Sequence, residues 1–233
     1  MRSDNPVTGV VRFADNQRDR RLTDAEYAML ATGLALVALP GKPRKDGKPP
    51  RDGMWPCAIA CTHFLALTGW RSGEAIDLLW GHIDLEKRTA RLPDTKTGQS
   101  MRPLSEAACA VLRQQDRGKA EARVFPPSRG MSGMTGFPSF FERIRKAGGL
   151  PADVTPHVLR HSFASLANDL GYTEATIGML VGHKGQGTTR GYLHALDPVL
   201  LAAADAVAGR ICELMGTNPV QDASGIPATE VVE

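Results

Sequence analysis

The apolar positions keep a helical period along most of the chain and change to a strand-like one over a single stretch. Tyr27, Leu30 and Leu34 recur at helical spacing. Thr23 and Glu26 stand as a capping box in front of them, which predicts a helix running to about Leu39. Trp55 to Thr68 is apolar with helical spacing, and Gly69 ends it. Ser72 then starts a predicted helix with Ile76, Leu79 and Trp80 facing inward. From His82 to Ser105 the pattern reads as three short strands, with turns at Glu86-Lys87-Arg88 and Thr97-Gly98-Gln99. Helices follow at Glu106 to about Gln115 and at Phe137 to Lys146, the second closed by Gly148-Gly149. Thr155 and Pro156 fit the cap and first position of another helix, with Leu159, Phe163, Leu166 and Leu170 as its core stripe. Thr173 caps the next, whose apolar residues are Ile177, Leu180 and Val181, and Gly182 breaks it. After Asp197-Pro198 a last helix to about Met215 carries Leu201, Ala204, Ala208, Ile211 and Leu214 on one stripe.

A chain of 233 residues with 42% apolar content can bury a substantial core. No apolar run approaches 18 residues, so no membrane-spanning helix and no membrane partner are expected. The first residues lack an apolar centre of signal-peptide length, and a cytoplasmic location is the expectation. Cys57, Cys61, Cys109 and Cys212 form no CxxC pair, which fits core-filling thiols in a reducing compartment.

The net charge of +3 says little until it is divided. Residues 197–233 set Arg210 against six carboxylates, a net −5, so residues 1–196 carry +8. A basic body suits a polyanion. Between Gly41 and Arg51 the Pro/Gly-rich segment carries Lys42, Arg44, Lys45, Lys48 and Arg51 against Asp46. It reads as a solvated loop or as a contact to a phosphate backbone. Residues 1–21 read as a linker, residues 22–215 as one domain, and residues 216–233 as a disordered acidic tail.

Candidate chemistry gathers late in the chain. His157, Arg160 and His161 are neighbours at helical spacing, near a helix N-terminus that favours phosphate. No glutamate follows the first histidine as in HExxH and no third ligand is evident, so no metal is assigned. Alone, the HxxR pattern is equally that of a capped surface helix. Gly182-His183 follows, and Tyr192, one of three tyrosines, lies nine residues beyond His183. Upstream, Arg71 stands before a predicted helix with Glu74 one turn on, where Gly69 and Gly73 permit close backbone approach to an anion. Lys96 stands at the tip of the predicted hairpin.

The blocks TGWRSGE, TKTGQSMRPL, HVLRHSFAS, LVGHKG and TTRGYLH, in this order over about residues 20–215, resemble the catalytic domain of the tyrosine recombinase, or phage integrase, family. The resemblance implies an α+β fold, mainly α-helical, with a small three-stranded antiparallel sheet. It implies that Arg71 and Arg160 bind the non-bridging oxygens of a scissile DNA phosphate. Lys96 would protonate the departing 5′ oxygen, His157 would assist proton transfer, and His183 would hydrogen-bond the phosphate. Glu74 would support the site, and Tyr192 would attack phosphorus to form a 3′-phosphotyrosine. The bond energy stays in that link, so no cofactor and no metal are implied. The implied partner is double-stranded DNA, bound by a possible homotetramer, with the last helix docking on a neighbour or packing in cis. Family members carry a core-binding domain upstream, and this chain starts at a stretch like their interdomain linker, so a catalytic-domain fragment is expected. Two other activities fit the same residues: type IB topoisomerase-like relaxation, and DNA binding by a catalytically silent remnant.

Overall fold

The computed structural model describes residues 20–40, 53–93, 100–130, 133–182 and 198–217. Eight α-helices, one 3-10 turn (Trp80–His82, between α3 and β1) and three strands appear among them, in the order α1 (Asp24–Ala38), α2 (Pro56–Thr68), α3 (Ser72–Ile76), β1 (Ile83–Asp84), β2 (Thr89–Leu92), β3 (Ser100–Pro103), α4 (Glu106–Arg113), α5 (Phe137–Ala147), α6 (Pro156–Asp169), α7 (Glu174–Val181) and α8 (Pro198–Met215). The fold is mainly helical with one small sheet, as the sequence predicts.

Helix α2 is apolar nearly all round and is therefore buried rather than amphipathic. It packs against α4, α5, α6 and α8. Ala58, Cys61, Phe64 and Leu65 are fully buried on it. The Phe64 ring meets Trp70 edge-on at 5.2 Å and Phe125 at 5.6 Å, which fixes the segment leaving α2 against the core. Pro56 opens the helix and Gly69, with φ +62, closes it by donating its amide to the Leu65 carbonyl at 3.0 Å.

Thr23 and Glu26 cap α1 reciprocally. The two described residues of the linker-like stretch are both tied down. Arg20 bonds Glu26 and Asp153, and Arg21 bonds Asp169 at 2.5 Å. The Leu22 amide donates to the Ser162 hydroxyl at 2.8 Å, which joins the start of α1 to α6. Tyr27 lies in the core, and burial pushes its phenol up to about 12. Helices α1 and α5 cross at glycines. A Cβ on Gly33 would stand 2.5 Å from the Ile144 carbonyl oxygen, and one on Gly148 would stand 2.1 Å from that of Met29.

The sheet is an antiparallel meander, β1-β2-β3, with Ile83 opposite Ala90 and Ala90 opposite Arg102. Arg88 turns the chain between the first two strands at φ +51. The turn between β2 and β3, with Lys96, lies outside the described residues.

Four sequence expectations need correction. The helix begun at Ser72 ends at Ile76, and Leu79 and Trp80 are outside it. Leu78 and Trp80 are buried while Leu79 is only half-buried, a period of two rather than of a helix. Leu79 is extended and bridged to Arg123, and Trp80 then opens a 3-10 turn, Trp80–His82, still bonded to residues 120–124. On α6, Leu166 is half-buried and Leu170 exposed, while Val158, Ser162 and Ala167 are buried. This helix meets α2, α7 and α8, so its buried face is wider than the expected stripe. Thr155 holds the N-cap position, but its side chain makes no capping bond. On α8 the expected Ala204, Ala208 and Ile211 are buried, joined by Ala203, Val207 and Cys212, while Leu201 and Leu214 are half-buried.

No helix among the described residues is long and apolar enough to cross a membrane. Helix α8 packs in cis on α1, α2 and α4. Its Asp205 accepts from both terminal nitrogens of Arg88, at 3.2 and 2.9 Å, and from the Glu106 amide at 2.8 Å.

The glycine crossing is testable. Gly148→Ala sets a methyl against backbone that cannot yield, so urea denaturation is expected to show a loss of about 1–3 kcal/mol. An unchanged midpoint and slope would show that α1 and α5 can move apart freely.

Candidate active site

Arg71 lies at the junction between the core helix α2 and the short helix α3, at the N-cap of α3. One turn later Glu74 folds back on it. The carboxylate accepts the Arg71 amide at 2.9 Å through one oxygen and the Arg71 guanidinium at 2.9 Å through the other. Glu74 is also gripped from the sheet. Arg102 of β3 donates both terminal nitrogens to the two Glu74 oxygens, each at 2.8 Å. This fork is the geometry in which a guanidinium recognises a carboxylate best. Arg102 is fully buried, which the small Ala90 opposite it accommodates, and its guanidinium lies 4.9 Å from the Trp70 ring centroid.

Arg160 comes from α6 and turns into the molecule. It is buried, and its Nη1 donates to the Gly69 carbonyl at 2.9 Å and the Val181 carbonyl at 2.6 Å. Those carbonyls belong to the C-terminal ends of α2 and α7, where free carbonyls and the helix dipole favour a cation. Gly69 also lies against the Phe163 ring, which a Cβ there would meet at 2.8 Å. The second terminal nitrogen, Nη2, is buried and meets no acceptor among the described residues. Gly182 closes α7 at φ +73, and its carbonyl accepts from Arg71 at 3.4 Å. A Cβ on Gly182 would fall 2.3 Å from the Arg102 guanidinium. The residue preceding His183 is thus held between Arg71 and Arg102.

The expectation that His157, Arg160 and His161 share one face is only half met. The two histidines are exposed and touch through their Nε2 atoms at 2.9 Å, while Arg160 points inward. A helical spacing of three fixes where side chains leave the helix, but a long arginine can still reach the core. Partial desolvation of its ring by the surrounding protein, then His161, Arg160 and Arg71, push His157 below the usual histidine range, which favours its neutral form.

Three guanidiniums, Arg71, Arg102 and Arg160, gather around one carboxylate. Burial pushes Arg160 down to about 10, and repulsion from Arg71 and Arg102 adds to it while Glu74 opposes it. Burial alone would raise the Glu74 carboxyl, but the bonds and charge of Arg102, then Arg71, outweigh it and hold the group at about 2. The centre is a net positive, partly desolvated cluster, and one of its buried N–H donors meets no acceptor among the described residues. Such a centre suits a compact tetrahedral oxyanion.

Of the residues predicted for the site, Arg71, Glu74 and Arg160 come together here, and His157 lies within electrostatic reach of both arginines. Lys96, His183 and Tyr192 lie outside the described residues, as do Lys42, Arg44, Lys45, Lys48 and Arg51 of the basic loop. The sequence pattern does not single out Arg102. Its signal is an arginine at an inward register of a strand, in a molecule whose Glu74 must be buried. Among the described residues no group of three or more His, Cys, Asp or Glu side chains is arranged to hold a metal ion.

The depressed Glu74 carboxyl has a stability consequence. Its folded value of about 2 lies below the unperturbed 4.5, so its contribution is complete above pH 4.5 and is lost as pH falls toward 2. Between those limits the unmodified chain is expected to lose stability more steeply than Glu74→Gln, as read by denaturant midpoints. Parallel curves would disprove this assignment of the ionised carboxylate.

The comparisons with known proteins bear on family and fold. The sequence model for the phage integrase family matches residues 52–198. The tyrosine recombinase XerA of Saccharolobus solfataricus is 31% identical over 130 residues, 54% of this chain and 42% of that protein. The tyrosine recombinase XerD of Bifidobacterium longum is 30% identical over 158 residues, 61% of this chain and 51% of that protein. The chain thus spans about half the length of the curated relatives it matches. Among solved structures, a crystal structure of XerA recombinase superposes with a TM-score of 0.55 at 21% identity, covering 85% of this chain and 66% of the other. A lambda integrase dimer bound to a COC′ core site gives 0.52 at 21% identity, covering 71% and 57%. These likenesses place the fold, and the matched residues, more than half of the chain, settle the lineage: this chain belongs to the phage integrase family, that of the tyrosine recombinases.

Proposed function

We propose that the chain is the catalytic part, residues 22–215, of a site-specific DNA recombinase that cleaves and rejoins strands through a 3′-phosphotyrosine. The observation that carries this reading is the buried guanidinium of Arg160. It is fixed by two helix-end carbonyls, lies within electrostatic reach of Arg71, and has a second terminal nitrogen that meets no acceptor among the described residues. Two such arginines bind the non-bridging oxygens of a phosphodiester and offset the charge that develops as phosphorus becomes five-coordinate.

In this reading the Tyr192 oxygen attacks phosphorus, the new Tyr–O–P bond forms, and the bond from phosphorus to the 5′ oxygen breaks. The phenol, with a reference pKa of about 10, gives up its proton as it attacks, assisted by His157 in its neutral form. Lys96 delivers a proton to the leaving 5′ oxygen, and His183, next to the anchored Gly182, hydrogen-bonds the phosphate. Rejoining runs the same steps backward. The basic segment from Lys42 to Arg51 contacts the DNA backbone away from the cleaved bond.

The partner is double-stranded DNA, which places the protein at the nucleoid. One solved neighbour is described as a lambda integrase tetramer bound to a Holliday junction. By analogy four copies of this chain assemble on two duplexes. Helix α8 is packed in cis, so any exchange between copies involves the chain on either side of it.

A suicide duplex, nicked so that the short cleaved piece diffuses away, traps the covalent intermediate. The duplex is drawn from DNA flanking the gene. The unmodified chain is expected to form an adduct stable to detergent, and Tyr192→Phe to form none. An equal adduct with Tyr192→Phe would overturn the assignment. DNA retardation without any adduct would favour a silent DNA-binding remnant, and metal-independent relaxation of supercoiled plasmid the topoisomerase-like activity. Arg160→Gln leaves a neutral side chain where the phosphate needs charge, and is expected to slow adduct formation by about 10²–10³-fold.

A further inference from the structure

We infer that Arg102 is a positioning residue for Arg71, acting through Glu74; this rests on the functional reading above. The chain of contacts is continuous and short. Arg102 holds both Glu74 oxygens at 2.8 Å, and the same two oxygens hold the Arg71 guanidinium and the Arg71 amide at 2.9 Å. Glu74 therefore cannot rotate without breaking bonds on two sides, and Arg71 is fixed at both its backbone and its side chain.

Charge gives a second argument for Arg102. A lone Glu74 beside Arg71 would cancel it and spend the guanidinium on an internal ion pair. With Arg102 present one carboxylate is shared between two cations, and the group keeps a positive charge for an incoming anion. Arg102 cannot meet that anion itself. It is fully buried, with Trp70 on one side and Gly182 so close that no side chain fits there.

Place in the fold gives the third argument. Arg102 is on β3, three residues after the undescribed segment that carries Lys96. Through Glu74 it grips α3, which carries Arg71 at its cap, and it lies against Gly182, which precedes His183. One buried side chain thus ties together β3, the cap of α3 that carries Arg71, and the end of α7 at Gly182. Arginine suits this position and lysine does not, since an ammonium cannot span both oxygens of a carboxylate with a planar fork.

The test is a double-mutant cycle with the full 233-residue chain and the suicide duplex, read as single-turnover adduct formation at saturating DNA. Arg102→Lys keeps the charge, and circular dichroism and a cooperative melt verify its fold. It is expected to slow adduct formation by about 10–100-fold when Arg71 is intact, and by less than about 3-fold in an Arg71→Ala background, with DNA affinity unchanged. An equal loss in both backgrounds, or no loss with Arg71 intact, would overturn the inference, since a merely structural residue does not care whether Arg71 is there. Should Arg102→Lys fail to fold, the charge-balanced pair Glu74→Gln with Arg102→Gln serves in the same cycle with the same two outcomes. If the unmodified chain forms no adduct, it is the functional reading that falls. Positioning is then judged by inorganic sulfate, titrated by NMR on the arginine side-chain signals. Arg102→Lys is expected to weaken sulfate binding only when Arg71 is present, and unchanged affinity would sink the inference on its own.

Discussion

One carboxylate shared between two arginines organises the centre of this molecule. Taking Glu74 and Arg102 out of water is costly, and the cost is offset only because every oxygen and most donors find a partner at hydrogen-bond distance. The partners come from three elements far apart in sequence: the cap of α3, the third strand, and the end of α7. These elements are individually short and marginal. Helix α3 has five residues and the strands two to four, too few to persist alone. The ion cluster fastens them to the larger helices, and that fastening also sets where Arg71 stands relative to Arg102.

Most of the helical frame can be read from the amino-acid pattern, because the helices announce themselves at their ends. The Thr23–Glu26 box, Gly69, Thr173 and Gly182 each occupy the predicted cap or stop. The three-stranded sheet is equally visible as a change of period. The pattern misleads at Leu79 and Trp80, where apolar residues continue past Ile76. A run of apolar residues does not say whether it turns or extends. Here the partner that decides is the 120–124 segment, some forty residues away, which only the folded chain brings near.

The site divides along the same line. Arg71, Glu74 and Arg160 are visible because they stand at helix starts and one turn apart. The deep reach of Arg160 is not visible, since it depends on the carbonyls that Gly69 and Val181 present from two other helices. Arg102 is hidden for a related reason. In a strand of four residues, alternation alone does not tell which face is covered, and a charged residue is ordinarily assigned to the solvent side. Its burial follows from Glu74 and Trp70, neither of which is near it in sequence.

The tie between Asp205 and Arg88 has a further consequence. It anchors α8 to the turn of the sheet and to the first amide of α4, so the first residue of α8 has a fixed place on the same body as the arginine cluster. Tyr192 precedes Pro198 by six residues, and a fully extended chain of that length spans only about 20 Å. Asp205, which touches none of the three arginines of that cluster, therefore fixes the point from which chain length alone limits how far away Tyr192 can lie.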